Sequence, residues 1–322
     1  MNDKQRIQAF VDEIWSWYAR HKRELPWRDL QIEDDTQRAY MILVSEVMLQ
    51  QTQVPRVKII FRQFLEKFPD INALSAASNK DVIVAWKGMG YNSRALRLRD
   101  AAIIVRDRFN GVFPQELDEL LSIKGIGAYT AAAIRNFAFG IPTPCIDTNI
   151  RRILHRTFVG PEREDGTWEV GDKDLSKIAE EILEKALLQG SAADWHAALM
   201  DFGSIVCTKR SPKWSICPLT AKGIMLTTEK NFISPIRAKQ KLSESKEPGR
   251  IISGRFVPNR IIRGKIVDAL REHPDGLKPE LIGRTVAPDW AKEHRPWLNN
   301  LIKKLIQDQM LEERGGVVRL RE

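Results

Sequence analysis

The chain has 322 residues, 43% of them hydrophobic and 29% charged, with a formal net charge of +9 and three cysteines. That length suffices for two or three domains with at least one sizeable core, and the composition is ordinary for a soluble globular protein. No stretch approaches the roughly 18 to 20 uninterrupted apolar residues of a membrane helix, the opening MNDKQRIQAF lacks the apolar region of a signal peptide, and Cys145, Cys207 and Cys217 are too few for a disulfide framework. A cytoplasmic protein without a membrane partner is expected.

In chain order, Ile7, Phe10, Val11, Ile14, Trp15 and Tyr18 recur at helical spacing and predict an amphipathic opening helix that stops near Pro26. The run Ala39 to Val54, AYMILVSEVMLQQTQV, holds one ionisable residue, Glu46, inside a long apolar stretch, and ends in the polar block Gln50, Gln51, Thr52 and Gln53. Two readings of Glu46 are open. Either it belongs to the polar stripe of an amphipathic helix, the commoner fate of a Glu, or it is a partly desolvated carboxyl group able to hold or pass a proton near neutral pH. Further helices are expected around residues 40 to 51, 54 to 67, 79 to 86, 93 to 109, 116 to 122, 128 to 138, 148 to 158, 173 to 188 and 193 to 206. Gly88-Met-Gly90, Phe113-Pro114, Gly125-Ile-Gly127 and Ile141-Pro-Thr-Pro144 punctuate them. Alternating strand patterns are absent over the first 228 residues.

Around Gly125 the sequence ELLSIKGIGAYTAAAIRNFAFG reads as a helix, a Gly-x-Gly hairpin and a second helix. The glycines permit a tight turn and close approach of backbone amides to an anion, and the second helix offers its positive end to a phosphate. An ordinary helix connection has the same local pattern. Further on, PCIDTNIRRIL places Asp147 just before another helix, where an N-cap is the simplest role.

Residues 229 to 258, rich in Lys, Ser, Pro and Gly, are expected to form a linker. From Arg237 to Lys265 there are nine Lys or Arg (237, 239, 241, 246, 250, 255, 260, 263, 265) against Glu244 and Glu247, so the segment is either a solvated linker or a basic strap along phosphates. Beyond it, helices are predicted at Ile261 to Leu270, Pro279 to Thr285 and Trp297 to Gln309, then a hairpin about Gly315-Gly316 in LEERGGVVRLR. Three helices and a terminal hairpin suggest a winged helix-turn-helix, a module that binds DNA or protein.

Together, LPWR at 25 to 28, SEVMLQQTQV at 45 to 54, GMGYNSRALRL at 88 to 98, IKGIGAYTAAAI at 123 to 134 and IDTNIRRIL at 146 to 154 resemble the helix-hairpin-helix (HhH-GPD) DNA glycosylase superfamily, and within it the MutY-type adenine glycosylases. SEVMLQQT is the most specific match, and the resemblance runs from Leu25 to about Cys217. It implies a mainly α, two-lobed fold that clamps mismatched or oxidised double-stranded DNA as a monomer, with the target nucleotide flipped into the cleft between lobes. The domains would be 1–228, with the hairpin at 117–138 and a cluster loop at 207–223, then a basic linker at 229–258 and a winged-helix-like domain at 259–322. The implied base excision repair chemistry gives Glu46 the proton for the departing adenine, Asp147 the charge that stabilises the sugar cation and helps water attack, and Asn149 the task of orienting Asp147. Tyr129 stands where lyase-active relatives carry Lys, which implies a monofunctional glycosylase without a Schiff base from that position. Gln51 and Tyr91 resemble wedges that fill the gap left by the flipped base, with Leu49 and Thr52 beside the opposite base. Arg28, Lys124, Gly125 and Gly127 complete the implied DNA contacts.

The sequence departs from the family in three places. The cysteine spacing that holds a four-iron four-sulfur cluster survives, but its register reads Cys207, Trp214, Cys217 and Gly223. Two thiolates cannot supply four ligands, so a lost cluster and no cofactor are expected, with Trp214 packing in its place. A two-Cys zinc site completed by a distant His, with His196 nearest, is the rival. Secondly, the C-terminal part does not resemble the Nudix-like domain that recognises 8-oxoguanine, which leaves the opposite base open. Thirdly, Lys124 replaces the usual hairpin Pro, adding a cation beside the phosphate-gripping turn. A thymine or uracil glycosylase acting at G mismatches and a catalytically idle lesion-binding protein remain as alternatives.

Overall fold

The computed structural model describes residues 2–163, 165–233 and 247–322. The helices are α1 (Asp3–His21), α2 (Asp35–Leu49), α3 (Val54–Lys67), α4 (Ile71–Ala76), α5 (Asn79–Ala85), α6 (Ser93–Arg108), α7 (Leu117–Leu121), α8 (Ala128–Phe137), α9 (Thr148–Leu154), α10 (Asp172–Ala186), α11 (Ala192–Ile205) and α12 (Pro218–Ala221). There follow β1 (Gly249–Ile252), β2 (Arg255–Pro258), α13 (Asn259–Arg271), α14 (Pro279–Val286), α15 (Arg295–Gln307), β3 (Leu311–Arg314) and β4 (Val317–Leu320). The chain forms two compact units, one of Met1–Ile42, Gln115–Leu121 and Ile126–Ser245, the other of Leu43–Pro114, Ser122–Gly125 and Lys246–Glu322.

The first unit is helical among its described residues. Asn2 and Gln5 form a capping box at the start of α1, and that helix buries Ile7, Phe10, Val11, Ile14, Trp17 and Tyr18, the apolar face its spacing predicts. Phe10 meets Trp195 edge to face at 5.9 Å and Trp17 meets Phe202 at 5.2 Å, which seats α1 on α11. Ser191 caps α11 through the Asp194 amide. The helix predicted at 148–158 is two structures: α9 ends at Leu154 and a π-helical turn, His155–Val159, carries the chain to Gly160 at φ +146°.

In the second unit, Asp70 and Ser78 cap α4 and α5 through their side chains. The C-terminal segment does not stand apart as a separate 259–322 domain. Ile83 and Leu96, on α5 and α6, share one buried core with Ile262, Ile266 and Leu270 of α13, Leu298 and Leu305 of α15, and Val318 of β4. Polar contacts follow the same seam: Asn79 Nδ2 donates to Gln309 O at 2.9 Å, and Lys80 and Lys87 pair with Glu322 and Glu272. The wing is as expected, with Leu311 opposite Leu320 and a turn at Gly315-Gly316, both at positive φ.

The linker expectation needs correction. Residues 249–258 form an antiparallel hairpin, Gly249 paired with Pro258 and Ile252 with Arg255, because Ser253 and Gly254 supply the two positive-φ positions of a tight turn. Arg237, Lys239, Lys241, Glu244 and Lys246 lie outside the described residues. Of the remaining strap cations, Arg250, Arg260 and Arg263 pair with Asp289, Glu247 and Asp308, while Arg255 and Lys265 are exposed.

Candidate active site

Glu46 lies in the last turns of α2 and is 7% exposed, with Ser45, Val47 and Met48 buried beside it. That places it in the interior rather than on a polar stripe. Immediately downstream, Leu49 and Thr52 are half-buried and Gln51 is exposed at φ +56°. Tyr91, in the same unit, is 51% exposed and also left-handed, at φ +43°. Non-glycine residues hold such conformations only where their surroundings determine them.

Arg94 is the main determinant. Its guanidinium donates to the carbonyls of Val47 (3.0 Å), Met48 (3.2 Å) and Gln50, to Thr52 Oγ1 (3.1 Å), and to the carbonyls of Met89 (2.9 Å) and Gly90 (3.2 Å). One buried cation thus ties the end of α2 to the loops that carry Gln51 and Tyr91. Burial works against its charge and lowers its pKa, and the six acceptors compensate. Trp86 Nε1 and Arg56 Nη1 add bonds to Gly90 O (3.1 Å) and Gly88 O (2.7 Å).

The Asp147 site belongs to the first unit. Oδ1 accepts the amides of Asn149 (2.8 Å) and Ile150 (2.6 Å), and Oδ2 accepts Asn149 Nδ2 at 2.8 Å. Asp147 is therefore the N-cap of α9, and its carboxylate is oriented by Asn149. Asn149 Oδ1 in turn accepts Arg152 Nη2 (2.8 Å), and Arg152 also reaches Gly203 O (2.8 Å) and Cys207 O (2.6 Å). A Cβ on Gly203 would meet Asn149 Cβ at 2.6 Å, so only glycine lets α11 approach here. Tyr129, on the first turn of α8, is half-buried against Ala132, Ala133 and Cys145. Gly127 begins α8 without a side-chain cap, which leaves the amides of that turn available to an anion; Lys124 is exposed and Gly125 turns at φ +102°.

Arg28 is placed otherwise than expected. Its guanidinium grips fully buried Asp201 in a bidentate pair at 2.7 and 2.8 Å, with Arg23 Nε on the same carboxylate at 2.7 Å, so it anchors the LPWR segment instead of facing phosphate. Asp201, Arg94 and Arg152 had no distinguishing pattern in the sequence. Arg94 and Arg152 lie inside matching motifs, and Asp201 lies in none.

The cluster positions offer a poor ligand set. Cys207 and Cys217 are buried free thiols, and burial pushes the Cys217 pKa up. Cys207 Sγ lies 3.6 Å from the guanidinium of Arg156 and Cys217 Sγ lies 3.7 Å from Met225 Sδ. Arg156, itself fully buried, pairs with Glu162 at 2.6 Å and donates to Thr208 O and Lys209 O, holding the loop that follows Cys207. Trp214 packs partly buried on the core of this unit and edge to face on Phe232 at 5.6 Å. Gly223 turns at φ +65°. His196, the nearest histidine named for a zinc site, has no ring nitrogen to spare. His196 must donate from Nδ1 to Ala192 O (2.8 Å) and accept at Nε2 from the Cys145 amide (3.2 Å), which uses both nitrogens, and its pKa is pushed down to about 4 by burial. No group of three or more His, Cys, Asp or Glu suited to a metal occurs among the described residues.

Comparison with known proteins agrees with these motifs. Residues 44–186 match the model of the HhH-GPD superfamily base excision DNA repair proteins. The adenine DNA glycosylase of Mycolicibacterium smegmatis is 36% identical over 262 residues, which span 81% of this chain and 80% of that protein. The chain covers less of other relatives: the adenine DNA glycosylase of Homo sapiens is 36% identical over 221 residues, 67% of this chain but 39% of the human protein. A thermostable thymine-DNA glycosylase superposes with a TM-score of 0.61 at 27% identity, over 70% of this chain and 98% of its own. Endonuclease III in a non-covalent DNA complex, at 21% identity and a TM-score of 0.57, shares the fold over 76% of this chain and 100% of its own. The chain belongs to the HhH-GPD superfamily of base excision DNA repair proteins and, within it, to the MutY-type glycosylases.

Proposed function

We infer that this protein is a monofunctional DNA glycosylase that hydrolyses the N-glycosidic bond of a mispaired adenine, opposite 8-oxoguanine or guanine, in double-stranded DNA. The observation that carries the reading is the oriented Asp147 carboxylate with its Asn149 and Arg152 support, in a chain 36% identical to an adenine DNA glycosylase over most of both lengths. The bond from the sugar C1′ to adenine breaks with its electron pair leaving on the base. Glu46 supplies the proton that neutralises that base, Asp147 faces the oxocarbenium-like sugar, and water adds to C1′ and gives its proton to the Asp147 carboxylate. Two backbone amides and the Asn149 side chain fix the direction of the Asp147 carboxylate. Gln51 and Tyr91, held left-handed, enter the space left by the flipped nucleotide, and Leu49 and Thr52 sit by the opposite base. The open amides of α8 and exposed Lys124 take phosphates.

The iron-sulfur cluster is lost in this chain. Trp214 and Gly223 offer no ligand, and two thiolates cannot supply the four that such a cluster needs. Purified protein prepared without oxygen is expected to be colourless; stoichiometric iron would overturn this. No helix among the described residues is long and apolar enough to cross a membrane; a DNA repair enzyme works where its DNA is, which in a prokaryotic cell is the cytoplasmic nucleoid.

The functional test is a duplex panel with A, T, U or C opposite G and opposite 8-oxoguanine, scored for intact abasic strands that break only after alkali. Adenine release is expected to dominate. Preferential thymine or uracil release would favour the reading that Tyr129 and the thymine-DNA glycosylase likeness support, and binding without release would mark an idle lesion binder.

A further inference from the structure

Arg271, the last residue of α13, contributes nothing to the chemistry above, yet it reaches the loop that carries Tyr91. Its side chain is 4% exposed. Nε and Nη2 donate to Ile83 O at 3.1 and 2.9 Å, and Nη2 also donates to Asn92 Oδ1 at 2.8 Å. Asn92 is buried and directly follows Tyr91, and although it stands at the N-cap position of α6 its side chain makes no cap bond to that helix. Beside this contact lies a groove of about 410 Å³ with Met89, Tyr91 and Asn92 on one wall and Ile261, Gly264 and Lys265 of α13 on the other.

We propose that Arg271 is a positioning residue for the Tyr91 loop, so that the C-terminal segment helps to set how DNA is engaged. This rests on the reading that Tyr91 enters the space left by the flipped base. Three fixings hold the loop from the Met89 and Gly90 side: Arg94, Trp86 and Arg56 bind the carbonyls of Gly88 to Gly90. Arg271 holds its other end. A left-handed tyrosine relaxes when either end is released, because nothing intrinsic to its backbone favours that conformation. Simple docking of the C-terminal segment does not require this bond. The shared apolar core and the Lys80–Glu322, Lys87–Glu272 and Asn79–Gln309 contacts already provide it.

A double-mutant cycle between Arg271→Ala and Tyr91→Ala tests the proposal, with Asn92→Ala as a second route that leaves α13 intact and Glu272→Ala as a surface control. The readouts are affinity for mismatched against matched duplex and the fluorescence of 2-aminopurine placed beside the target. Neither requires excision, so a wild type that fails to release adenine sinks the functional reading without touching this one. Arg271→Ala and Asn92→Ala are each expected to lower mismatch preference about tenfold in the wild-type background and to have little further effect once Tyr91 is alanine. Equal effects in both backgrounds, or none in either, would overturn the proposal; if Arg271→Ala does not fold, the Asn92→Ala arm decides.

Discussion

The surroundings of Asp147 and those of Arg94 use hydrogen bonds to opposite ends. Around Asp147 neutral donors converge on one carboxylate, and what they control is its direction. Around Arg94 one cation spreads over backbone oxygens from two loops, and what it controls is chain geometry. On the proposed function, the first serves chemistry and the second shape. A substitution in the first should change rate while sparing fold and affinity; a substitution in the second should change stability and recognition together.

The sharpest way to break that distinction is Asp147→Asn. It preserves the cap to α9 and removes the negative charge, so single-turnover excision is expected to fall about a hundredfold or more while duplex affinity and the thermal midpoint stay near wild type. A parallel loss of affinity would make Asp147 a structural cap only. Next in size, Arg94→Ala strands several buried carbonyls and frees the loops that carry Gln51 and Tyr91. About 3 kcal/mol of unfolding free energy should be lost in denaturant titration, with mismatch preference falling at least tenfold. Unchanged stability would remove Arg94 from its central place. The smallest effect is expected from Arg255→Ala combined with Lys265→Ala, the exposed cations of the described strap, which should flatten the dependence of log affinity on log salt by about one to two. No change in slope would leave that segment without a phosphate contact.

Much of this was legible in the sequence, for identifiable reasons. Long amphipathic helices such as α1 and α10 announce themselves through spacing, and the wing through Gly315-Gly316. Glu46 stood out as the lone charge in an apolar run, and its burial follows from that run. Other features were hidden by physics rather than by oversight. The six-residue α4 is too short to show a period, and the β1–β2 hairpin lies in Lys- and Ser-rich surroundings that read as linker, although Ser253-Gly254 between apolar pairs was the available signal. Arg94, Arg152 and Arg271 act on backbone carbonyls, and a carbonyl has no signature in a sequence. Arg28 was misjudged for the matching reason: its partner Asp201 is 173 positions away.

The central claim, that a buried carboxyl group in α2 delivers the proton to the leaving base, is tested most directly by Glu46→Gln. The amide keeps the size and hydrogen-bonding reach of the carboxyl group but cannot donate its acidic proton. Single-turnover release of adenine from a duplex with 8-oxoguanine opposite, at saturating enzyme, is expected to fall about a hundredfold or more with mismatch binding retained. Near-normal release by Glu46→Gln would contradict the account.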